Sequence, residues 1–119
     1  MSYFTQRIHS FKNAFRGMHL AFKEEAHMKL HLLATIVLIG AGFYFGITRI
    51  EWGLIILCTI AVIGMEIINS SIEKLCDHLH PGRHEAVGTV KDLSAGAVLV
   101  VSLGAAIVWG IVFWGYVFS

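Results

Sequence analysis

Residues 64–77 read GMEIINSSIEKLCD and follow directly on the apolar run WGLIILCTIAVI at residues 52–63. In a helix, five polar side chains of the first stretch would share an arc of about 100°: Glu66, Asn69, Ser70, Glu73 and Asp77. At ~1.5 Å per residue, Glu66 would lie ~10 Å deeper than Glu73. This segment therefore predicts a helix with one polar face, which runs from inside an apolar layer out to its surface.

Three apolar runs occupy most of the chain, at residues 30–47, 52–72 and 93–118. Each is close to the ~20 residues that a helix needs to cross a bilayer. The chain has 119 residues, 56% of them hydrophobic, and a mean hydropathy of +0.71, which excludes an ordinary water-soluble protein of this size. We predict an all-α membrane protein, a single domain over residues 1–119 with three transmembrane helices.

The residues before the first apolar run, 1–29, predict an amphipathic helix on the membrane surface. Its apolar side chains recur at steps of three and four residues and lie within about 80° of one face: Phe4, Ile8, Phe11, Phe15, Met18 and Phe22. Basic residues flank this face, as is typical of a helix in the headgroup layer. Glu25 falls beside the apolar face and Glu24 points away toward water. A helix that serves only as an anchor is the alternative.

The distribution of basic residues predicts the topology. Five Lys and Arg residues precede the first apolar run, one lies between the first two runs, three lie between the last two and none follows the third. Because cytoplasmic loops carry an excess of Lys and Arg, the N-terminus should be cytoplasmic and the C-terminus external. The polar end of the second predicted span then lies at the cytoplasmic boundary.

Glu66 is the deepest acid of the polar face. An ionisable group within a span costs several kcal/mol unless it faces a partner or water, which makes it a functional candidate. No Lys or Arg lies within the three runs to neutralise it. Glu66 is positioned to act as a general base. The alternative is a protonated Glu66 that hydrogen-bonds a neighbouring helix.

The remaining polar residues suit a metal ion and phosphate. Carboxylate and amide oxygens are ligands that Mg²⁺ accepts together with phosphate oxygens and water, and four are candidates: Glu25, Asn69, Glu73 and Asp77. Lys91 and Arg83 would then meet the phosphates. Glu73 and Asp77 are alternatively ordinary charges at a helix end, and spacing alone favours Asp92 as a helix cap. Phosphoryl transfer needs cations, a base and exclusion of water.

Two other kinds of site are less consistent with the sequence. His27 and His31 have the spacing of zinc ligands on a helix, but no cysteine or third histidine is firmly placed beside them, which favours packing at the membrane interface. Neither Gly-x-x-x-x-Gly-Lys-Ser/Thr nor Gly-x-Gly-x-x-Gly occurs, which excludes a P-loop or protein-kinase nucleotide site.

The block EIINSSIE at residues 66–73, with Asp77 and VKDLSAGAVL at residues 90–99, closely resembles the prokaryotic diacylglycerol kinase family, which includes undecaprenol kinases. The likeness extends through AFRG at residues 14–17 and AFKEE at residues 21–25, so it covers nearly the whole chain. It implies a homotrimer in the bacterial inner membrane, with sites shared between subunits, that transfers a phosphoryl group from ATP, with Mg²⁺, to a membrane lipid alcohol.

The resemblance also implies roles for individual residues. Glu66 would be the general base with Asn69 as its polar neighbour, and Glu25 and Glu73 would hold the metal and the nucleotide. Lys91 and Asp92 would lie at the ATP phosphates. Further contacts are expected with the nucleotide from Asp77, Arg83 and His84, and with the lipid substrate from Glu66, Arg16 and Ser70. Two departures concern the nucleotide contacts: Asn13 replaces an aromatic residue of many relatives, and Arg7 matches a family arginine only after a shift of one place.

The substrate and the function class have alternatives. The stretch FKEEAHMKLH at residues 22–31 and the stretch IEW at residues 50–52 look more like the undecaprenol branch of the family than the diacylglycerol branch. The rival classes are a small proton-coupled multidrug transporter, which also has one intramembrane glutamate, and a noncatalytic membrane adaptor. The acids and the Lys91–Asp92 pair at the cytoplasmic boundary would have no role in a transporter.

Overall fold

The computed structural model describes residues 2–119 as an all-helical chain, which confirms the predicted fold class. Its four helices are α1 (Tyr3–Glu24), α2 (Ala26–Phe45), α3 (Arg49–Leu79) and α4 (Glu85–Val117). The last three are each long and apolar enough to cross a membrane, as the apolar runs predicted. All three begin or end outside those runs, because polar residues continue the helices beyond the apolar layer.

The turn between α2 and α3 is defined by a glycine and a capping box. Gly46 ends α2 with φ of 63°, a left-handed conformation that glycine adopts without a steric penalty. The Glu51 amide donates to the Thr48 hydroxyl at 3.2 Å, and the Thr48 amide donates to the Glu51 carboxylate at 2.9 Å. The Tyr116 hydroxyl also donates to Glu51, at 2.5 Å, so the end of α4 is joined to the start of α3.

The core lies at this same end of the molecule. Ile55 of α3, Val112 of α4 and Ile47 of the turn are buried together. A Cβ atom on Gly42 would lie 2.6 Å from the Trp52 ring, so only glycine allows α2 to approach α3 this closely. Most other large apolar side chains on α2, α3 and α4 are exposed, which suits helices surrounded by lipid tails or by other helices.

The chain breaks between α1 and α2 at Glu25, which is extended with φ −98° and ψ 118°. Residues 26–29, assigned above to the surface helix, therefore begin α2. Five of the six apolar residues that define the predicted face of α1 are exposed, Phe22 being partly buried. The break turns the chain from the direction of α1 into that of α2, and it takes Glu25 out of the helical wheel on which its position was predicted.

Glu24 joins α1 to α3. Its carboxylate accepts a hydrogen bond from the Lys74 ammonium at 2.5 Å, although both side chains remain about half exposed. This hydrogen bond and the attraction between the two charges hold the pKa of Glu24 below its ordinary value of 4.5. Glu24 was expected to meet only water. The expectation was incomplete because the helical wheel of α1 does not include the end of α3.

Candidate active site

An open cleft of about 290 Å³ lies between the start of α2 and the polar ends of α3 and α4. Four of the residues selected from the sequence as catalytic or metal-binding line it: Glu25, Glu66, Asn69 and Glu73. Ser70, predicted to contact a lipid, lines it as well, together with His27, Ala95 and Val98. The structure therefore brings residues 25 and 66–73 together as the sequence predicted.

Helix α3 provides most of this cleft because its polar residues recur at helical spacing. Glu66, Asn69 and Glu73 lie at successive turns, so their side chains emerge on one side of the helix. Glu25 reaches the same cleft from the break between α1 and α2. The backbone at Glu25 belongs to neither α1 nor α2, and this allows its side chain to point toward α3. In a continuous helix, the helical geometry would set the direction of the side chain instead.

Glu66 has a partner that the sequence analysis did not identify. Its Oε1 atom lies 3.0 Å from Nε2 of His31 on α2, and the two side chains retain only 13% and 23% of their accessible surface. Glu66 is therefore hydrogen-bonded to a neighbouring helix. This was expected if Glu66 has a structural role instead of acting as a general base. The contact does not by itself exclude the base role, because a carboxylate has a second oxygen.

Asn69 connects α3 to α4. The Ser94 hydroxyl donates to Asn69 Oδ1 at 2.7 Å, and Asn69 Nδ2 donates to Glu73 Oε1 at 3.3 Å. A carboxylate only accepts hydrogen bonds, so the amide nitrogen must face Glu73 and the amide oxygen must face Ser94. Ser94 is buried, and in this orientation its hydroxyl donates to the amide oxygen.

Beyond the cleft, α3 and α4 are joined by an exposed ion pair. Lys91 donates to Asp77 Oδ1 at 2.5 Å. Lys91 and Asp77 were both expected to contact a nucleotide, and here they contact each other. The pair places a cation at the mouth of the helix pair, one turn beyond Glu73.

The other residues selected from the sequence lie on the surface outside the cleft. Asp92, Arg83 and Arg16 are exposed. His84 begins α4, where its Nδ1 accepts from the Val87 amide at 3.3 Å, and its ring stacks on His80 with the centroids 4.5 Å apart. The preference for Asp92 as a helix cap was wrong, because His84 caps α4 and the helix runs two turns before it reaches Asp92.

His31 and Ser94 are the functional candidates that the sequence analysis missed. His31 carried a usable signal: it is the last histidine or charged residue of α2, and an acid deep in one span needs a polar partner from another. Ser94 carried little signal, because it lies among small residues that equally fit close helix packing.

The acids of the cleft suit a divalent cation that shares its coordination with a ligand. Among residues 2–119, no group of three or more His, Cys, Asp or Glu side chains is arranged to hold a metal ion alone. Glu25 and Glu73 nevertheless offer two carboxylates to one cleft. Mg²⁺ is commonly bound by one or two carboxylates together with phosphate oxygens and water, so this donor set fits it.

We predict that Ser94→Ala destabilises the folded protein by about 1 kcal/mol, because it leaves the Asn69 amide oxygen without its donor between two helices. Reversible unfolding in mixed micelles measures this loss. Ser102→Ala is the matched control, since Ser102 lies on the same helix and makes no side-chain hydrogen bond among the described residues. Equal stability of the Ser94→Ala protein and the unaltered protein would contradict the role given to Ser94.

The amino-acid sequence is similar to those of known lipid kinases. The model of the family described as prokaryotic diacylglycerol kinase matches residues 12–113. The chain is 33% identical over 106 residues to a diacylglycerol kinase of Haemophilus influenzae, covering 89% of this chain and 90% of the relative. It is 28% identical over 113 residues to that of Escherichia coli, covering 95% and 93%.

A relative named for a different lipid substrate is about as similar. The chain is 29% identical over 104 residues to the undecaprenol kinase of Bacillus subtilis, covering 87% of this chain and 85% of the relative. Lipid kinases of both kinds thus match the region that forms the cleft. The chain belongs to the prokaryotic diacylglycerol kinase family and is a lipid kinase of the membrane.

Proposed function

We propose that this protein uses ATP and Mg²⁺ to phosphorylate the hydroxyl of a membrane lipid alcohol at the cytoplasmic face of the inner membrane. The observation that carries the proposal is the single cleft lined by Glu25, Glu66, Asn69 and Glu73. It combines a deep carboxylate with shallower ones, which suits a reaction between a lipid hydroxyl below and a nucleotide above. The names of the relatives support this class of substrate.

Glu66 acts as the general base in this proposal. It is partly buried and lies about 10 Å deeper along α3 than Glu73, the depth at which the hydroxyl of a lipid would meet the cleft. One of its oxygens is bonded to His31, and the other can accept the hydroxyl proton as the new oxygen–phosphorus bond forms. One turn along α3 from Glu66, Asn69 donates a hydrogen bond to Glu73 and holds that carboxylate in place.

Glu25 and Glu73 hold the metal in this proposal. When bound, Mg²⁺ would neutralise charge on the phosphoryl group during its transfer. Glu73 is oriented by its hydrogen bond from Asn69, and Glu25 lies at the chain break before α2, from which it lines the same cleft. These two carboxylates converge from separate elements, so their separation depends on how α1 and α2 meet α3.

The nucleotide phosphates lie toward the mouth of the cleft in this proposal. Lys91 supplies a cation, and Asp77 restrains its flexible side chain in the absence of nucleotide. Asp92 lies beside Lys91 at the phosphates, and Arg83 and His84 contact the nucleotide from the loop before α4. Because Asp92, Arg83 and His84 are exposed and Lys91 is partly exposed, a nucleotide can reach them from the cytoplasm without entering the apolar layer.

The lipid head group lies below the nucleotide, between α1 and α3. A second cleft, of about 190 Å³, separates these helices, and Ser70 and Glu25 line both clefts. Ser70 can therefore contact a head group that enters along α1. Arg16 lies on the basic side of α1, where it can contact the phosphate of the product. In this proposal α1 rests on the membrane with its exposed apolar side chains in the headgroup layer.

A homotrimer completes the proposed enzyme. The cleft is open on one side, and α2 to α4 leave most of their apolar side chains exposed. The family resemblance implies sites shared between subunits. A second copy placed against the open side would exclude water from the cleft, which phosphoryl transfer requires.

The proposed topology places the loop before α4 in the cytoplasm and Ser119 outside, because eight of the nine Lys and Arg residues then face the cytoplasm. Single cysteines at Arg83 and Ser119, in a chain whose two native cysteines are replaced, can be labelled in intact cells. We expect an impermeant reagent to label only Ser119→Cys. Labelling of Arg83→Cys alone would place the cleft on the wrong side for ATP.

We predict that the purified protein, reconstituted in bilayers, transfers label from ATP to a lipid alcohol. Undecaprenol, diacylglycerol, ceramide and a lipid-free sample are offered in parallel. We expect undecaprenol to be preferred, from the sequence around Glu25 and Trp52. A kcat/KM for diacylglycerol tenfold above that for undecaprenol, ~1.4 kcal/mol of transition-state discrimination, would reverse this preference.

Glu66→Gln is the matched variant for that assay. The amide has nearly the same shape but cannot take the proton, so we expect turnover to be lost while assembly is retained. Glu85→Gln, an exposed acid outside the cleft, should keep full activity. Near-normal kcat in Glu66→Gln would remove it from the role of base. Labelling of no lipid by the assembled protein with Mg²⁺ would contradict the proposed function.

We predict that Glu25→Gln and Glu73→Gln each shift the Mg²⁺ dependence of the reaction to concentrations at least about tenfold higher, because each removes one charged ligand. Titration of activity with Mg²⁺ at saturating lipid and ATP measures the shift, again with Glu85→Gln as the control. An unchanged Mg²⁺ dependence in both variants would show that these carboxylates do not hold the metal.

A further inference from the structure

His31 is a histidine in the apolar part of the molecule to which the family assignment gives no role. It lies in the second turn of α2, and beyond it this helix contains no other titratable group until Tyr44. Its Nε2 atom is 3.0 Å from Glu66 Oε1 on α3, a contact between residues 35 positions apart in the chain. A buried polar contact between two helices needs a reason, because an apolar pair would pack there without desolvation.

Packing holds the His31 ring in place. His31 lines a space of only about 10 Å³ between α2, α3 and α4, together with Ala34, Thr35, Thr59, Val62 and Trp109. A space of this size scarcely admits one water molecule, so the ring cannot turn into it. Packing on this side therefore restricts the directions from which His31 can present Nε2 to Glu66.

The contact divides the two oxygens of Glu66. Oε1 is held by His31, whereas Oε2 has no hydrogen-bond partner within residues 2–119 and is not sealed from the exterior. Glu66 also lines the cleft with Glu25, Asn69 and Glu73. Because one oxygen is hydrogen-bonded, the carboxylate cannot rotate freely about its last side-chain bond. The free oxygen is therefore restricted to a narrow range of directions.

We propose that His31 is a positioning residue for Glu66, and this inference rests on the proposed function. The Nε2–H group donates to Oε1 and fixes the plane of the carboxylate, so that Oε2 faces the lipid hydroxyl. The hydroxyl proton passes to Oε2 as the hydroxyl oxygen bonds to the γ-phosphorus of ATP. At the same time the bond between that phosphorus and the bridging oxygen breaks, and ADP leaves. His31 touches neither the lipid nor the nucleotide.

Three substitutions separate positioning from packing. His31→Gln keeps an N–H donor at about the same reach, His31→Asn keeps the same amide chemistry about one bond length short of Glu66, and His31→Leu fills the space without a donor. A misplacement of 1 Å can cost about 10²-fold in rate. We therefore expect His31→Gln to keep kcat within about threefold, and the other two variants to lose about 10- to 100-fold.

Separate measurement of kcat and KM tests why the His31 variants lose activity. KM for Mg-ATP should stay unchanged in all three variants, since the nucleotide lies at the other end of the cleft. Unaltered kcat in His31→Leu would overturn the proposal. So would equal losses in the assembled His31→Gln and His31→Asn proteins, because the reach of the donor would then be irrelevant.

An NMR measurement tests the hydrogen bond between His31 and Glu66 independently of turnover. The ¹⁵N resonances of the His31 ring, assigned by their absence in His31→Gln, should move when Glu66→Gln replaces the charged acceptor by an amide. Identical resonances with and without that substitution would overturn the proposal even where a His31 variant fails to assemble. Lack of lipid phosphorylation by the unaltered protein would instead refute the proposed function, and the resonances would still report the contact.

Discussion

The placement of one carboxylate within an apolar layer governs the arrangement of the other helices. Glu66 lies where a charge without a partner costs several kcal/mol, so α2 must approach closely enough for His31 to reach it. The approach of α2 at the other end of the molecule depends on Gly42, where any side chain would collide with Trp52. Two contacts at opposite ends thus fix the long axis of α2 against α3.

A second polar chain attaches α4 to the same face of α3. Ser94 donates to Asn69, and Asn69 donates to Glu73, so both ends of the Asn69 amide have a partner and its orientation is defined. Hydrogen bonds of this kind add specificity more than stability, since in a membrane each is worth about 1 kcal/mol. In the proposed mechanism their value lies in holding Glu73 in a fixed orientation on a rigid helix, because groups that act in catalysis must be placed to within fractions of an ångström.

The sequence predicted what a single helix determines and missed what depends on contacts between helices. The spacing of Glu66, Asn69 and Glu73 was sufficient to place them on one face, and the structure joins them in one cleft. The position of Glu25 was predicted from a continuous helix, yet it lies at a break that no proline or glycine marks. His31 was assigned to interfacial packing because periodicity within α2 contains no information about the opposite residue of α3.

The charges of the cleft explain why the proposed mechanism includes a cation. Three carboxylates, those of Glu25, Glu66 and Glu73, line a space of about 290 Å³. Lys91, on the adjoining part of α4, is already paired with Asp77, and Lys74 is paired with Glu24. In the proposed mechanism a nucleotide would bring further negative charge into this cleft, and like charges at short range in a medium of low dielectric repel strongly. A divalent cation that bound with the nucleotide would offset this repulsion, and carboxylates such as those of Glu25 and Glu73 are suitable ligands for it.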